Sequence, residues 1–192
     1  MTAEVLAENV RAHLAAIRGI AASIPAVLEL SVETCGRLER GGTIFTFGNG
    51  GSAADAQHLA AELVGRYLRN RRPLAAISLS TDPSVTTCIA NDFEYSQVFA
   101  RQVAALTGPD DLVIAFSTSG TSPSVTNGLK AARITGAMTV LFTGATGTDA
   151  AEFADTVFRV HSTATARIQE GHVLLLHLLS EAIDTWASQA IA

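Results

Sequence analysis

Two short polar loops in this sequence have residue types suited to holding a phosphate. The first, Gly48-Asn49-Gly50-Gly51-Ser52, follows the apolar run Thr43–Phe47 and precedes a helical stretch. Glycines there permit positive φ and close approach of a ligand to the backbone. Free N–H groups at a helix start attract an anion, and Ser52 is placed to cap that helix and offer its hydroxyl. The second loop, Ser117-Thr118-Ser119-Gly120-Thr121-Ser122-Pro123, also follows an apolar run. Ser117, Thr118, Ser119, Thr121 and Ser122 all carry hydroxyls, and Pro123 suits a first helical turn. Hydroxyls and amides hold a phosphate monoester without lysine. Either loop alone reads most simply as a tight turn with a capped helix; two in one chain favour a ligand. Neither is a nucleotide signature. Ala53 stands where a dinucleotide fingerprint needs its third glycine, and no Gly-Lys-Ser/Thr follows either loop.

Acid–base and metal-ligating groups cluster elsewhere. His58 and Glu62 are four residues apart, so they share a helix face and could chelate one metal or form an ion pair. Asp55 lies on that face one turn earlier. The last helical stretch carries Gln169, Glu170, His172 and His177 among Val173-Leu174-Leu175-Leu176 and Leu178-Leu179. A histidine inside such a stripe is more often a core residue than a catalyst. Gln169 and His177 are eight residues apart, about 12 Å of ideal helix. One straight helix does not bring both to one metal, so the helix bends or different subunits supply them. Glu170 and His177, seven apart, face nearly the same way and could pair instead. Arg66, Arg69, Arg71 and Arg72 read as solvated basic surface, with Arg66 the exception, one turn beyond Glu62.

These groups need a scaffold. The chain has 192 residues, which suits one domain, and 48% apolar against 16% charged residues is enough for a sizeable core. A net charge of −5 argues against electrostatic coating of nucleic acid. Cys35 and Cys88 form no C-x-x-C motif and read as two buried thiols. No uninterrupted apolar run reaches the length of a membrane span, and the opening Met1-Thr2-Ala3-Glu4 lacks the basic start of a signal peptide. The expectation is a soluble, cytoplasmic, single-domain protein.

The first 40 residues read as helix, broken at Ser23-Ile24-Pro25 and ended by Gly41-Gly42. This preface packs on the core or on a neighbouring subunit. Strands are expected at Thr43–Phe47, Leu74–Leu79, Leu112–Phe116, Thr139–Thr143 and Thr156–Val160. Several are apolar at successive positions, as in strands buried on both faces. Helices are expected at Ala53–Leu68, Glu94–Leu106, Pro123–Thr135, Asp149–Phe153 and Ala166–Ala187. Alternating β and α implies an α/β fold with a parallel sheet, helices on both faces, and ligands at the C-terminal ends of the strands.

The run from Gly48-Asn49-Gly50-Gly51-Ser52 through Asp55-Ala56-Gln57-His58 to Ala61-Glu62-Leu63-Val64-Gly65-Arg66 closely resembles the signature of phosphoheptose isomerases of the SIS sugar-isomerase family. Asn91-Asp92-Phe93, Phe99-Ala100-Arg101-Gln102, Ser117-Thr118-Ser119-Gly120 and Ala166-Arg167-Ile168-Gln169-Glu170 match further family blocks in order. The resemblance spans nearly the whole chain, read as one SIS domain over 1–192. It implies a flavodoxin-like three-layer sandwich with about five parallel strands, a homotetramer with sites between subunits, and a zinc ion. It implies that Ser52, Ser117, Ser119 and Ser122 hold the substrate phosphate with Thr118 assisting, near Gly50. It also implies that Asn49, Arg66, Asp92 and Gln169 meet the sugar or its surroundings. His58, Glu62, Gln169 and His177 correspond to the metal ligands, and Glu62 and His177 to the acid/base pair. The implied reaction converts sedoheptulose 7-phosphate to D-glycero-D-manno-heptose 7-phosphate or a close stereoisomer, for heptose biosynthesis. The alternative is a non-catalytic SIS protein that binds a partner such as a replication initiator; such relatives lack the acid and the last-helix imidazole, which this chain keeps. Thr121 stands where the family usually has asparagine, Ala164 where an aspartate is common, and the Gly144–Gly147 turn lacks paired glycines.

Overall fold

The computed structural model describes residues 2–189; Met1 and 190–192, the ends of the expected 1–192 domain, lie outside the described residues. Two helices come first, α1 (Ala3–Ile20) and α2 (Ile24–Glu39). Only a 3-10 turn at Ala21–Ser23 separates them. Thr2 caps α1 by accepting from the Val5 amide, and Pro25 sits in the first turn of α2, where its missing N–H costs nothing. From there β and α alternate: β1 (Ile44–Gly48), α3 (Gly51–Val64), β2 (Ala76–Ser78), α4 (Pro83–Asp92), α5 (Ala100–Leu106), β3 (Leu112–Ser117), α6 (Pro123–Thr135), β4 (Met138–Gly144), β5 (Thr156–Val160) and α7 (Thr165–Gln189).

All four strand pairings are parallel, in the order β2-β1-β3-β4-β5. β1 and β3 are fully buried along their lengths, as strands covered on both faces must be. Side chains alternate between two cores. Ile44, Ile114, Phe116 and Phe142 face α1, α2, α3 and α7, while Phe45, Phe47, Val113 and Leu141 face α4, α5 and α6. Stacked rings, Phe116 on Phe142 and Phe142 on Phe158, run across the first core, each buried phenylalanine contributing roughly 1.5–3 kcal/mol. The chain order reverses between β1 and β3, and Gly48 registers with Phe116. The two loops singled out in the sequence therefore leave adjacent strands side by side at the topological switch point.

Several expectations need correction. The helix expected over Glu94–Leu106 is split into a 3-10 turn at Tyr95–Gln97 and α5, and α4 was not foreseen. Only a 3-10 turn, Ala151–Phe153, occupies the expected Asp149–Phe153 helix, and α3 stops at Val64 rather than Leu68. Cys35 is buried, but Cys88 is exposed on α4, because only Ile89 of that helix is buried. The helical segment Ala3–Glu39 is long and apolar enough by length and composition to cross a membrane. Contiguous apolar runs there are short, but alanines and glycines between them keep the charge density low. Its Val5, Leu6, Val10, Leu14, Leu28 and Val32 are exposed in the single chain.

Candidate active site

The two loops enclose a cavity of about 150 Å³ lined by Asn49, Ser52, Phe116, Ser117, Thr118, Ser119 and Ser122. α3 begins after Gly50, whose φ of +57° favours glycine, and α6 begins after Ser122. Neither helix start has a side-chain cap, so Ser52 lies within the first turn of α3 and does not cap it, contrary to expectation. Four serines thus line one small space beside the starts of two helices, with no carboxylate in its lining, an arrangement that suits an anion. The loops also hold each other. The Asn49 amide donates to Ser122 Oγ and Ser124 Oγ, both at 3.0 Å, and its carbonyl accepts from Tyr95 Oη at 2.8 Å. Ser124 and Tyr95 were not singled out in the sequence; only the fold brings them to Asn49. Ser117 Oγ accepts from the Gly120 amide, fixing the turn of the second loop.

A second constellation lies further along α3 and α7. These helices run in parallel register: Gly51 against Gln169, Asp55 against His172, and His58 with Glu62 against His177. His58 Nε2 is 3.1 Å from Glu62 Oε1 and 3.3 Å from His177 Nε2. Ligand atoms of all three residues lie within 4.8 Å of one another. Two ligands on a tetrahedral zinc, at roughly 2.0–2.1 Å each, are separated by about 3.3–3.4 Å. The donor types and the two separations from His58 therefore suit a metal ion such as zinc. Burial and the neighbouring His58 push the His177 imidazole below its ordinary value, with Glu62 opposing the shift. The Tyr67 ring, 5.5 Å away and nearly parallel, stacks on His177.

Gln169 does not join this group. An added Cβ on Gly51 would lie 2.2 Å from its Nε2, so its amide rests against the start of α3 beside the first loop. α7 runs as one helix through Thr165–Gln189, so Gln169 and His177 stay two turns apart. Glu170 pairs with Arg167 and with His13 of α1 at 2.7 Å, not with His177 as the heptad spacing allowed. Asp92 is exposed at the end of α4, bonded to Asn91. Arg66 is exposed and donates to Asn70. Because α3 ends at Val64, Arg66 does not continue its face.

Two buried polar pairs lie beside the constellation. His172 is fully buried, edge-on to Phe116 and Phe142, and 3.9 Å from Asp55. Burial lowers His172 to about 4 and raises Asp55 to about 6, the latter partly offset by His58. Both groups are therefore held neutral near pH 5. Arg71 and Asp184 form the other pair, at 2.9 Å with side chains 1% and 0% exposed. This corrects the reading of Arg71 as solvated surface: sequence proximity to Arg69 and Arg72 hid a partner 113 residues away. Burial opposes charge on Asp184, but hydrogen bonds from the Arg69 and Leu68 amides and from Arg71 outweigh it and keep its carboxyl below the usual range.

The SIS domain family matches residues 7–144. A phosphoheptose isomerase of Paramagnetospirillum magneticum is 43% identical over 189 residues, 98% of each chain. One from Aquifex aeolicus is 50% identical over 147 residues, 77% of each chain. The solved phosphoheptose isomerase of Francisella tularensis superposes with a TM-score of 0.91 at 31% identity, covering 96% of this chain and 100% of its own. With this identity across almost the full length, and with the SIS fold carrying both loops at its switch point, the chain belongs to the phosphoheptose isomerase family of SIS-domain proteins.

Proposed function

We propose that the protein is an aldose–ketose isomerase that converts sedoheptulose 7-phosphate to D-glycero-D-manno-heptose 7-phosphate, or a close stereoisomer, in the cytoplasm. The observation that carries this reading is the pairing of an anion-suited serine cavity at the start of α3 with a separate His58–Glu62–His177 constellation built from α3 and α7. The initiator-binding alternative finds no support, since the chain keeps both Glu62 and His177 and its relatives are named as isomerases.

Ser52, Ser117, Ser119 and Ser122 hold the phosphate, with Thr118, Gly50 and the helix-start amides completing the cradle. Asn49, Gln169, Arg66 and Asp92 border the sugar. Glu62 removes a proton from C1 of the ketose, and the electron pair of that C–H bond forms the C1–C2 double bond of an enediolate. Glu62 then returns the proton to C2 on the same face. His177 takes a proton from the C1 hydroxyl and, as the imidazolium, delivers it to the C2 oxygen, leaving the C1 aldehyde. An imidazole lowered below its ordinary value is neutral at pH 7 and can accept that proton. His58, Glu62 and His177 would hold zinc, with Gln169 of a partner subunit as the further ligand. When bound, the ion supplies electrostatic relief to the sugar oxygens.

Ser52 and Glu62 are ten residues apart on one helix, about 15 Å along its axis. That span supports a site shared between subunits of a homotetramer, and so do the bare apolar faces of α1 and α2. Incubation with sedoheptulose 7-phosphate in deuterated water, followed by NMR of the product, tests the reading. Exchange of the Glu62 carboxyl proton with solvent before its return should place deuterium at C2. Glu62→Gln keeps shape and hydrogen bonding but loses the base, so turnover should fall by about 10²–10⁴-fold. Near-normal turnover in that variant would remove Glu62 from the mechanism.

A further inference from the structure

We propose that Arg71, anchored by Asp184, is a positioning residue for this reaction: it fixes the backbone of Glu62 and the ring of Tyr67 relative to His177. The inference rests on the reading of Glu62 and His177 as the acid–base pair.

A helix leaves its last carbonyls without intrahelical partners. α3 ends at Val64, so Glu62 and Leu63 stand in its last turn. The usual closing device is a left-handed glycine. Gly65 is not left-handed here; its φ is −78°. Arg71 does the closing instead. Its Nη2 donates to the Glu62 carbonyl at 2.6 Å, and its Nη1 donates to the Leu63 carbonyl at 2.9 Å. Nη1 also reaches the carbonyls of Gly65 and Arg72. Only a planar guanidinium with five donors can serve these acceptors while bonding a carboxylate through Nε. That carboxylate is Asp184, whose Oδ1 accepts from Arg71 Nε and whose Oδ2 accepts from the Leu68 and Arg69 amides at 3.1 and 2.7 Å.

Asp184 sits seven residues after His177 on α7, two turns on and nearly on the same face. One carboxylate therefore ties three things to the helix face that presents His177. These are the end of α3 bearing Glu62, the guanidinium that closes it, and the segment that lays Tyr67 on the imidazole. A buried ion pair is a poor way to gain stability, since hydrophobic replacement is often neutral. What this pair supplies is geometry, at the one place where two helices must present a base and an imidazole to the same substrate.

The test uses Arg71→Lys, Asp184→Asn and the double variant Arg71→Met/Asp184→Leu, which removes both buried charges together. In folded variants kcat with sedoheptulose 7-phosphate should fall by about 10–100-fold. KM should stay within about threefold, because the phosphate cradle lies at the other end of α3. Cobalt(II) added to the protein without sugar should bind about tenfold more weakly, as its ligands lose their supports. A purely structural role would lower the Tm and leave kcat per folded molecule unchanged. Unchanged kcat and unchanged cobalt affinity in any folded variant would overturn the proposal. So would failure of all three variants to fold, since the role would then be stability alone. If the unsubstituted protein turns over no sugar phosphate, the isomerase reading falls, and the cobalt titration still decides whether Arg71 and Asp184 set the geometry between Glu62 and His177.

Discussion

Replacing Gly51 by alanine should separate function from stability in this protein. Gly51 opens α3, and its backbone is not in the left-handed region, so alanine meets no strain there. Reduced freedom in the unfolded chain stabilises such a change by about 0.4–1 kcal/mol. For a chain of this size that raises the Tm by roughly 1–4 °C. The new Cβ, however, would stand 2.2 Å from Gln169 Nε2, 2.8 Å from its Cδ and 3.0 Å from its Oε1. Ordinary contact begins near 3.5 Å, so the amide must retreat by about 1.3 Å. Only the end of a flexible side chain is in the way, so the helices stay put and the amide alone moves. A displacement of about 1 Å in a positioning group costs up to 10²-fold in rate. We therefore expect kcat/KM for sedoheptulose 7-phosphate to fall by about 10–100-fold, or about 1.4–2.7 kcal/mol. Thermal melts and initial rates measured on the same preparation provide the assay. Gln169→Ala should lower kcat/KM to a similar extent, and adding Gly51→Ala to it should cost nothing more, because the displaced group is already gone. A Gly51→Ala protein with unchanged Tm and kcat/KM within twofold of the parent would refute the reasoning; a large drop in Tm would show that the backbone, not Gln169, absorbs the clash.

Other expectations follow from the same geometry. Ser119→Ala should weaken binding of the phosphorylated sugar by roughly 1–3 kcal/mol, read as a rise in KM, and leave the Tm unchanged; unaltered KM would take the second loop out of the site. The Asp55–His172 pair should control acid sensitivity. In the folded chain, with values near 6 and 4, the pair holds one proton between about pH 4 and 6; with ordinary values of 3.8 and 6.5, the unfolded pair also holds one. Its contribution is therefore flat in that window. Asp55→Asn removes the folded proton site, so the unfolded state binds one more proton below pH 6.5. Stability should then fall on acidification toward pH 4 by up to about 1.4 kcal/mol per unit, and urea titrations at pH 7 and 5 that shift in parallel for parent and variant would contradict this. Light scattering at assay concentration should find an oligomer, and an active monomer would refute the shared site.

Much of this arrangement was legible in the sequence, for physical reasons. β1, β3 and β4 are buried on both faces, so their apolar runs stood out, and the loops that follow them carry glycine and serine that no strand or helix interior would choose. The i, i+4 spacing of His58 and Glu62 gave their shared face directly. α4 escaped because only Ile89 of its ten residues is buried, leaving no apolar period to read. Its signal was Asp82-Pro83, where the carboxylate accepts from the Ser84 and Val85 amides and proline opens the helix. Where the helix expected over Glu94–Leu106 breaks, Phe99 stacks on Phe47 at 4.6 Å, a tertiary contact that local pattern does not carry. Arg71 with Asp184, and Asp55 with His172, were hidden by distance along the chain. Nothing in a run of arginines says which one turns inward.

The outer face of α1 and α2 sets terms for the life of a newly made chain. Val5, Leu6, Val10, Leu14, Leu28 and Val32 stay 47–74% exposed even after the sheet has formed behind them. If a second copy covers them, as the proposed shared site requires, each lone protomer is folded yet sticky, a client for chaperones and proteases. If sites form only on assembly, mass action makes activity per molecule rise with expression level before it levels off. A cell making a trace of this protein would then obtain less than a proportionate trace of its chemistry, and a mutation on this distant face would act as a dimmer rather than a switch.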